Sequence, residues 1–472
     1  MSEPWQLSAV EALAAMHTRQ LAPVELLASV VARAETVEPT VRAICERRYA
    51  EAEVAAKDSA ERYASGEDIR PLEGVPVAFK EELPVEGWTM RYGSLAIEEK
   101  ATGTAPMAER ILDAGAVVHA RTTTPELSCT GYTHSKLWGI TRNPWNTDVA
   151  VGGSSGGSGA SLASGTSLLA SGSDIGGSIR IPASINGVVG FKPPHGRVPV
   201  EAPFNLDRYC HDGPMARTVA DCALFENVLA GPHLADVTSL RPKMELPTAF
   251  EPIEGLRIAL SVDLGAWNVD QEVATNTRAA ALALRDAGAV VEEVEIPWTL
   301  DEIMRVARAH FGAIFGAEIA RLVDEAPDLV NDYVEAWSVE AQMFAASPGA
   351  FLRGLEGEQR LWEPMGRLFE TFDALICPTW AVTGIPAGDS FLGTLFEDGG
   401  PNDRQFTCYM TTPFNILSPC PVLAVPSGIA PSNGVPTGIQ IVARTYDDVT
   451  AFRIGAALER VRPWTQLAPF SG

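Results

Sequence analysis

The sequence predicts an α/β protein, folded as a single large domain around a largely parallel or mixed sheet. Beyond residue 200, short apolar runs of strand length alternate with longer segments at helical spacing, the pattern of successive βα units. The chain has 472 residues, 46% of them hydrophobic. That is enough for a large core, and no internal repeat or linker-like tract divides it. Length alone suggests about three domains, but large α/β domains run long.

The elements follow in order. SAVEALAAMHTRQ and APVELLASVVARAETV set apolar residues at i, i+3 and i+4, and Ala-rich charged text continues to Tyr63, so residues about 1–65 read as helical. PLEGVPVAFKEELPVEG changes the period. Its VPVAF is a buried-strand candidate ending at Lys80. MAERILDAGAVVHART reads as a helix leading into a second strand, VVHART. Gly156 to Leu169 reads as a helix of small residues, able to lie close against a sheet. GLRIALSVD and AVVEEVEIP are strands flanking the helix EVATNTRAAALALRDAG. Residues about 300–370 are mainly helical, with a break near Pro348. FDALICPTW, CPVLAVPSG and TGIQIVAR are strands, and DVTAFRIGAALERV is a closing helix.

Composition excludes several classes. A net charge of −24 argues against nucleic-acid and anionic-membrane surfaces, which need clustered Lys and Arg. Seven cysteines without CxxC spacing argue against a disulfide framework or a zinc knuckle and point to a reducing compartment. The N-terminus lacks a basic region followed by an apolar run, and no eighteen apolar residues run together. The expectation is a cytoplasmic protein with no membrane or nucleic-acid partner. The seven histidines show no HExxH-type spacing, so neither metal nor cofactor is expected.

Residues 151–184, VGGSSGGSGASLASGTSLLASGSDIGGSIRIPAS, hold ten serines and nine glycines. A linker carries Gly and Ser but not SLLAS or SIRIPAS. A catalytic loop accounts for both, and a serine hydroxyl needs a base to become a nucleophile. Gly152-Gly153-Ser154-Ser155-Gly156 fits the G-x-S-x-G elbow, which would call on His195, His211, His233 or His310. None of these stands in a compelling context. The other candidate base is Lys80, since burial disfavours a charged amine. Taken alone, Lys80 also reads as a snorkelling side chain with its amine in water.

The combination of motifs is more specific. L-x-G-V-P-V-A-x-K, GGSSGGSGA, SDIGGSIRIPAS and GVVGFKP occur in this order, with Lys80 74 residues before Ser154 and Ser154 24 before Ser178. RNPWN, GPMARTVAD, PFNILSPCPVLAVPSG and GVPTGIQIVA extend the match. The chain resembles the amidase signature family over most of its length, least at 235–370. The resemblance implies a mixed central sheet covered by helices on both faces, a signature core at about 70–200, and a helical substrate-side region at about 300–370. It also implies a Ser–cis-Ser–Lys triad. Ser178 is the acyl acceptor, Ser154, after a cis Gly153–Ser154 bond, is the relay, and Lys80 is the base. Ile175, Gly176, Gly177 and Ser178 resemble the oxyanion-hole segment, and Ser155, Ser173, Asp174 and Arg180 match supporting positions. Ser161, Ser164, Ser167 and Ser171 read as small packing residues.

The segment 125–146 lies where family members line the acyl pocket, with Ser128, Cys129, Thr130, Tyr132 and Trp138 as candidates. It carries no Arg before Arg142 to clamp a carboxylate. Cys129 reads as an inert packing thiol, and His134 as a loop or surface residue. The implied activity is hydrolysis of a linear or cyclic small-molecule amide, with esters or carbamates as side substrates. Two other readings stand: the glutaminase subunit of a tRNA-dependent amidotransferase, and a non-catalytic binding protein. The 300–370 region resembles stand-alone amidases more than that glutaminase. Oligomeric state is open, with a homodimer as the candidate assembly.

Overall fold

A computed structural model describes residues 3–345, 349–390, 392, 407–464 and 467–469. Helices α1 (Ala9–His17) and α2 (Pro23–Val41) precede strand β1 (Ile44–Arg47) and helix α3 (Tyr49–Ser65). Strand β2 (Pro76–Lys80), the hairpin β3 (Thr89–Met90) and β4 (Glu99–Lys100), helix α4 (Pro106–Asp113) and strand β5 (Val117–Thr122) follow. A second hairpin, β6 (His134–Ser135) and β7 (Gly139–Ile140), leads to α5 (Gly156–Ser164), β8 (Leu169–Asp174), α6 (Arg180–Asn186), β9 (Val189–Lys192), β10 (His211–Ala216) and α7 (Val219–Leu229). The C-terminal half comprises β11 (Arg257–Leu260), α8 (Gln271–Asp286), β12 (Val290–Glu293), α9 (Leu300–Glu325), α10 (Asp332–Ala345), α11 (Ala350–Phe369), β13 (Ala374–Pro378), β14 (Val422–Ile429), β15 (Pro436–Ala443) and a helix at Asp448–Val461.

Eleven strands form one sheet in the order β1-β5-β2-β8-β10-β9-β14-β15-β13-β11-β12. It is mixed. β5, β2 and β8 run parallel, as do β13, β11 and β12, while the strands between them pair antiparallel. Alternation along β14 shows that both faces are covered. Leu423 and Val425 enter one apolar cluster, with Met16, Phe225, Leu284 and Phe452 from surrounding helices. Val422 joins the cluster under α9–α11, and Ala424 packs with Leu162, Ile179 and Ala183 of the α5–α6 region. The chain is thus a single α/β domain, as expected.

Four differences from the sequence expectation stand out. The small-residue helix stops at Ser164, where Gly165 turns with φ +76°. LASGSD then forms β8 and HDGPMA forms β10, two buried strands without the apolar run that signals one. Strand β1 interrupts the helical N-terminal text, because ICER pairs with the edge of β5. The helical region 300–370 breaks after Glu325, and the break expected near Pro348 lies outside the described residues. No helix among the described residues is long and apolar enough to cross a membrane.

Candidate active site

β2, β8 and β10 lie side by side, and Lys80 ends β2 beside the end of β8 that carries Ser173. Ser173 and Asp212 are direct cross-strand partners. Lys80 is 1% exposed. Its backbone N–H donates to Ser171 Oγ at 2.8 Å. Its Nζ donates to Ser154 Oγ at 2.7 Å and to Ser173 Oγ at 2.8 Å, and pairs with Glu82 Oε1 at 2.7 Å. The Glu82 carboxylate also accepts from Ser128 and Ser173. Burial alone would raise its pKa. The Lys80 charge and the hydrogen bonds from Lys80, Ser128 and Ser173 outweigh burial and hold it below the usual carboxylate range.

Ser154 and Ser155 sit at the start of α5, and Ser178 just ahead of α6. The Gly153–Ser154 peptide is cis. The backbone of Tyr132 lies where a Cβ on Gly153 would come within 2.6 Å of its N and O, so that glycine admits a close approach of two chain segments. Ser155 N–H donates to the Ser178 carbonyl at 3.2 Å. The Ser155 hydroxyl bridges to both backbone groups of Ser173 at 3.3 Å.

Ser178 is 7% exposed and opens onto a cavity of about 710 Å³ that Lys80, Ser154 and Ser173 also line. Its hydroxyl makes no hydrogen bond among the described residues. Lys80 therefore touches Ser154, while Ser154 and Ser178 share no hydrogen bond.

Along the expected oxyanion segment, Ile175 to Ser178, the backbone N–H groups differ. The Gly177 N–H donates to Asp174 Oδ1 at 2.9 Å and is occupied. The N–H groups of Ile175, Gly176 and Ser178 make no hydrogen bond among the described residues. Gly177 has φ +130°, and a Cβ there would stand 2.1 Å from Thr411 Oγ1. Thr411 in turn donates to the Gly176 carbonyl at 2.6 Å, fixing the orientation of that peptide.

Asp174 and Arg180 anchor this loop from below. Both are fully buried, with Nη2 to Oδ1 and Nε to Oδ2 at 2.9 Å. Arg180 also donates to the Thr411 carbonyl (2.9 Å), Gln440 Oε1 (2.6 Å) and Asn415 Oδ1 (2.6 Å), and Asn415 donates to Asp174 at 2.8 Å. Burial would raise the Asp174 pKa, but Arg180 and Asn415 depress it strongly. The pair is fully hydrogen-bonded, the condition under which a buried ion pair is tolerated.

Of the expected pocket residues, Ser128, Cys129 and Thr130 line the cavity. Tyr132 and Trp138 do not. Tyr132 is buried, with its hydroxyl on the Ser390 carbonyl and its ring stacked on His134 at 5.0 Å. Trp138 stands between β6 and β7, away from the cavity. His134 is half-buried against Tyr132 and Tyr333 rather than on the surface. Burial pushes the Cys129 thiol well up, which suits an inert thiol. Ser171, read as a packing residue, instead lines the cavity and holds the Lys80 backbone. No histidine lines the cavity, so the elbow reading finds no base there. Among the described residues, no three His, Cys, Asp or Glu side chains stand where they could share a metal ion.

Sequence reasoning missed Glu82, Thr411, Asn415, Gln440 and Asp212. Thr411 had no signal. Asn415, Gln440 and Asp212 lie inside or against the family-like segments PFNILSPC, GVPTGIQIVA and GPMARTVAD, but nothing there announced a role. Glu82 follows Lys80 by two residues and reads as ordinary charged text.

Fold and site together point to one class, and similarity to known proteins agrees. The chain belongs to the amidase family: the family model described as Amidase matches residues 25–452. It is similar to an acylamidase of Rhodococcus erythropolis, 32% identical over 98% of this chain and 97% of that protein. It is also similar to a glutamyl-tRNA(Gln) amidotransferase subunit of Desulforamulus reducens, 30% identical over 98% of this chain and 99% of the other. Among solved structures, a bacterial aryl acylamidase of the amidase signature enzymes superposes with a TM-score of 0.89. It is 28% identical and covers 98% of this chain and 97% of its own.

Proposed function

We propose that the protein hydrolyses the carbon–nitrogen bond of a small-molecule amide through an acyl-enzyme on Ser178. Lys80, as the free amine, accepts the Ser154 proton while Ser154 accepts that of Ser178. Ser178 Oγ bonds to the amide carbon, and the carbonyl oxygen takes the negative charge, facing the N–H groups of Ile175, Gly176 and Ser178. Collapse breaks the C–N bond, and the proton returns from Lys80 through Ser154 to the departing amine. Water then repeats the sequence to release the acid. The Glu82 carboxylate, 2.7 Å from Nζ, stabilises the ammonium that forms as the proton moves.

The observation that carries this reading is the 2.7 Å contact between buried Lys80 and Ser154 at a cavity that Ser178 also faces. Similarity to acylamidases supports an acylamide substrate. A glutaminase would need a cation for the α-carboxylate of glutamine. Among the described residues, the two basic side chains lining the cavity, Lys80 and Arg321, are already paired, with Glu82 and with Glu318 and Glu325. That favours a stand-alone amidase.

The test is a screen of purified protein against aliphatic, aryl, peptide and lactam amides, reading ammonia and amine release. Hydrolysis by the isolated chain is expected. Activity on glutamine alone, and only with a partner, would replace this reading with the amidotransferase one.

A further inference from the structure

Beside Lys80 and Ser173 stands a group the mechanism does not use. Asp212 is the antiparallel cross-strand partner of Ser173, so both side chains leave the same face of the sheet and meet the same cavity. Asp212 is only 7% exposed, and its carboxyl makes no hydrogen bond or ion pair among the described residues. A buried carboxyl without a partner is costly and calls for an explanation, and on a cavity wall a ligand can supply one. Glu201 lines the same cavity, and its Oε2 is buried with no hydrogen-bond partner among the described residues. Burial pushes both carboxyls up, Glu201 to about 7, and nearby carboxylates add to the shift of each.

Charge makes the subsite one-sided. Lys80 and Arg321 are both paired with other carboxylates, so among the described residues Asp212 and Glu201 form no ion pair, although the Lys80 charge is felt at Asp212. The rest of the wall is largely apolar, including Ile97, Phe311, Ile319 and Trp337. A ligand that satisfies this arrangement has an apolar body and a hydrogen-bonding cation at one end.

We propose that Asp212 and Glu201 form a subsite for a protonated amine, so that the preferred substrates are amides of apolar chain that carry a second, basic nitrogen. This rests on the reading of the site as an amide hydrolase.

The test compares the para-nitroanilides of ω-aminohexanoic acid and heptanoic acid, which differ in an ammonium against a methyl group. Wild-type kcat/KM is expected to favour the amino compound by about tenfold or more, as for a desolvated charge pair. In Asp212→Asn/Glu201→Gln that ratio should fall toward one. Equal wild-type rates for the two anilides, or a ratio the double variant preserves, overturns the proposal.

Calorimetric titration of wild-type protein with hexylamine and with hexanol needs neither turnover nor a variant. Tighter binding of the amine supports the subsite, and equal binding overturns it. Absence of turnover on both anilides, with hexylamine still bound, would remove the hydrolase reading and leave the amine site standing.

Discussion

Lys80 Nζ and Glu82 Oε1 form an ion pair of 2.7 Å at the end of β2, and the same nitrogen donates to Ser154 at 2.7 Å. One amine therefore touches the carboxylate that stabilises its charge and the hydroxyl whose proton it would take. Ser173 closes the ring by accepting from Lys80 and donating to Glu82. The base candidate is held by three side-chain oxygens, which fixes Nζ beneath the serine loop.

Ser178→Ala should abolish amide turnover, because no acyl-enzyme can form. A fluorophosphonate probe should label Ser178, read by peptide mass mapping. A label on Ser154 with full activity in Ser178→Ala would return the elbow reading.

Ser154→Ala should fold and lose about 10²–10⁴ in kcat, the range of a general acid–base group. Steady-state kinetics beside a thermal melt separate the two effects. A rate within about threefold of wild type would remove Ser154 from the proton path, a loss below the range of such a group.

Lys80→Met should lose most amide activity, and activated esters should suffer less because their leaving group needs no proton. Glu82→Gln keeps the shape and removes the countercharge, so kcat should fall by about tenfold or more with a smaller change in KM. Equal kcat in wild type and Glu82→Gln would show that the carboxylate only packs.

Gly177→Ala should lower both activity and melting temperature. Its Cβ would meet Thr411 Oγ1 at 2.1 Å, at a φ of +130° that side chains rarely adopt. Thr411→Ala in the same chain should recover part of the stability, since it removes the clashing hydroxyl. An unaltered melt for Gly177→Ala would contradict the packing described.

Glu38 gives a pH signature away from the site. It is 6% exposed, accepts from Ile44 N–H at 2.9 Å through Oε2, and leaves Oε1 buried without a partner. Burial outweighs these hydrogen bonds and pushes its pKa up to about 7. The folded state thus holds a proton that the unfolded chain releases from about pH 4.5 upward. Stability from this group is full below that value and declines as pH rises toward 7. Glu38→Gln should remove the decline, worth at most about 3 kcal/mol, and denaturant midpoints at pH 5 and 7.5 measure the difference. Parallel pH dependence in wild type and variant would count against the shift.

The sequence by itself determined the class of fold, the family and the order of the key groups. Strands β2, β5, β13, β14 and β15 were legible because they are apolar runs buried on both faces. Lys80, Ser154 and Ser178 were singled out because their motifs stand together in an order and spacing that resemble the family's. β8 and β10 were not: LASGSD and HDGPMA carry no strand signal, and only burial between neighbouring strands makes them pair.

From those two hidden strands come the features decided by tertiary structure. Ser173 reaches Lys80 across the sheet, and Asp212 stands opposite Ser173, 39 residues away in the chain. Thr411, Asn415 and Gln440 join the site the same way, through contacts between segments up to some 260 residues apart, and Glu82, though next but one to Lys80, is held by Ser128 and Ser173, 46 and 91 residues away. Pattern and propensity act over a few neighbouring residues, so partners this distant take their roles only when the sheet assembles.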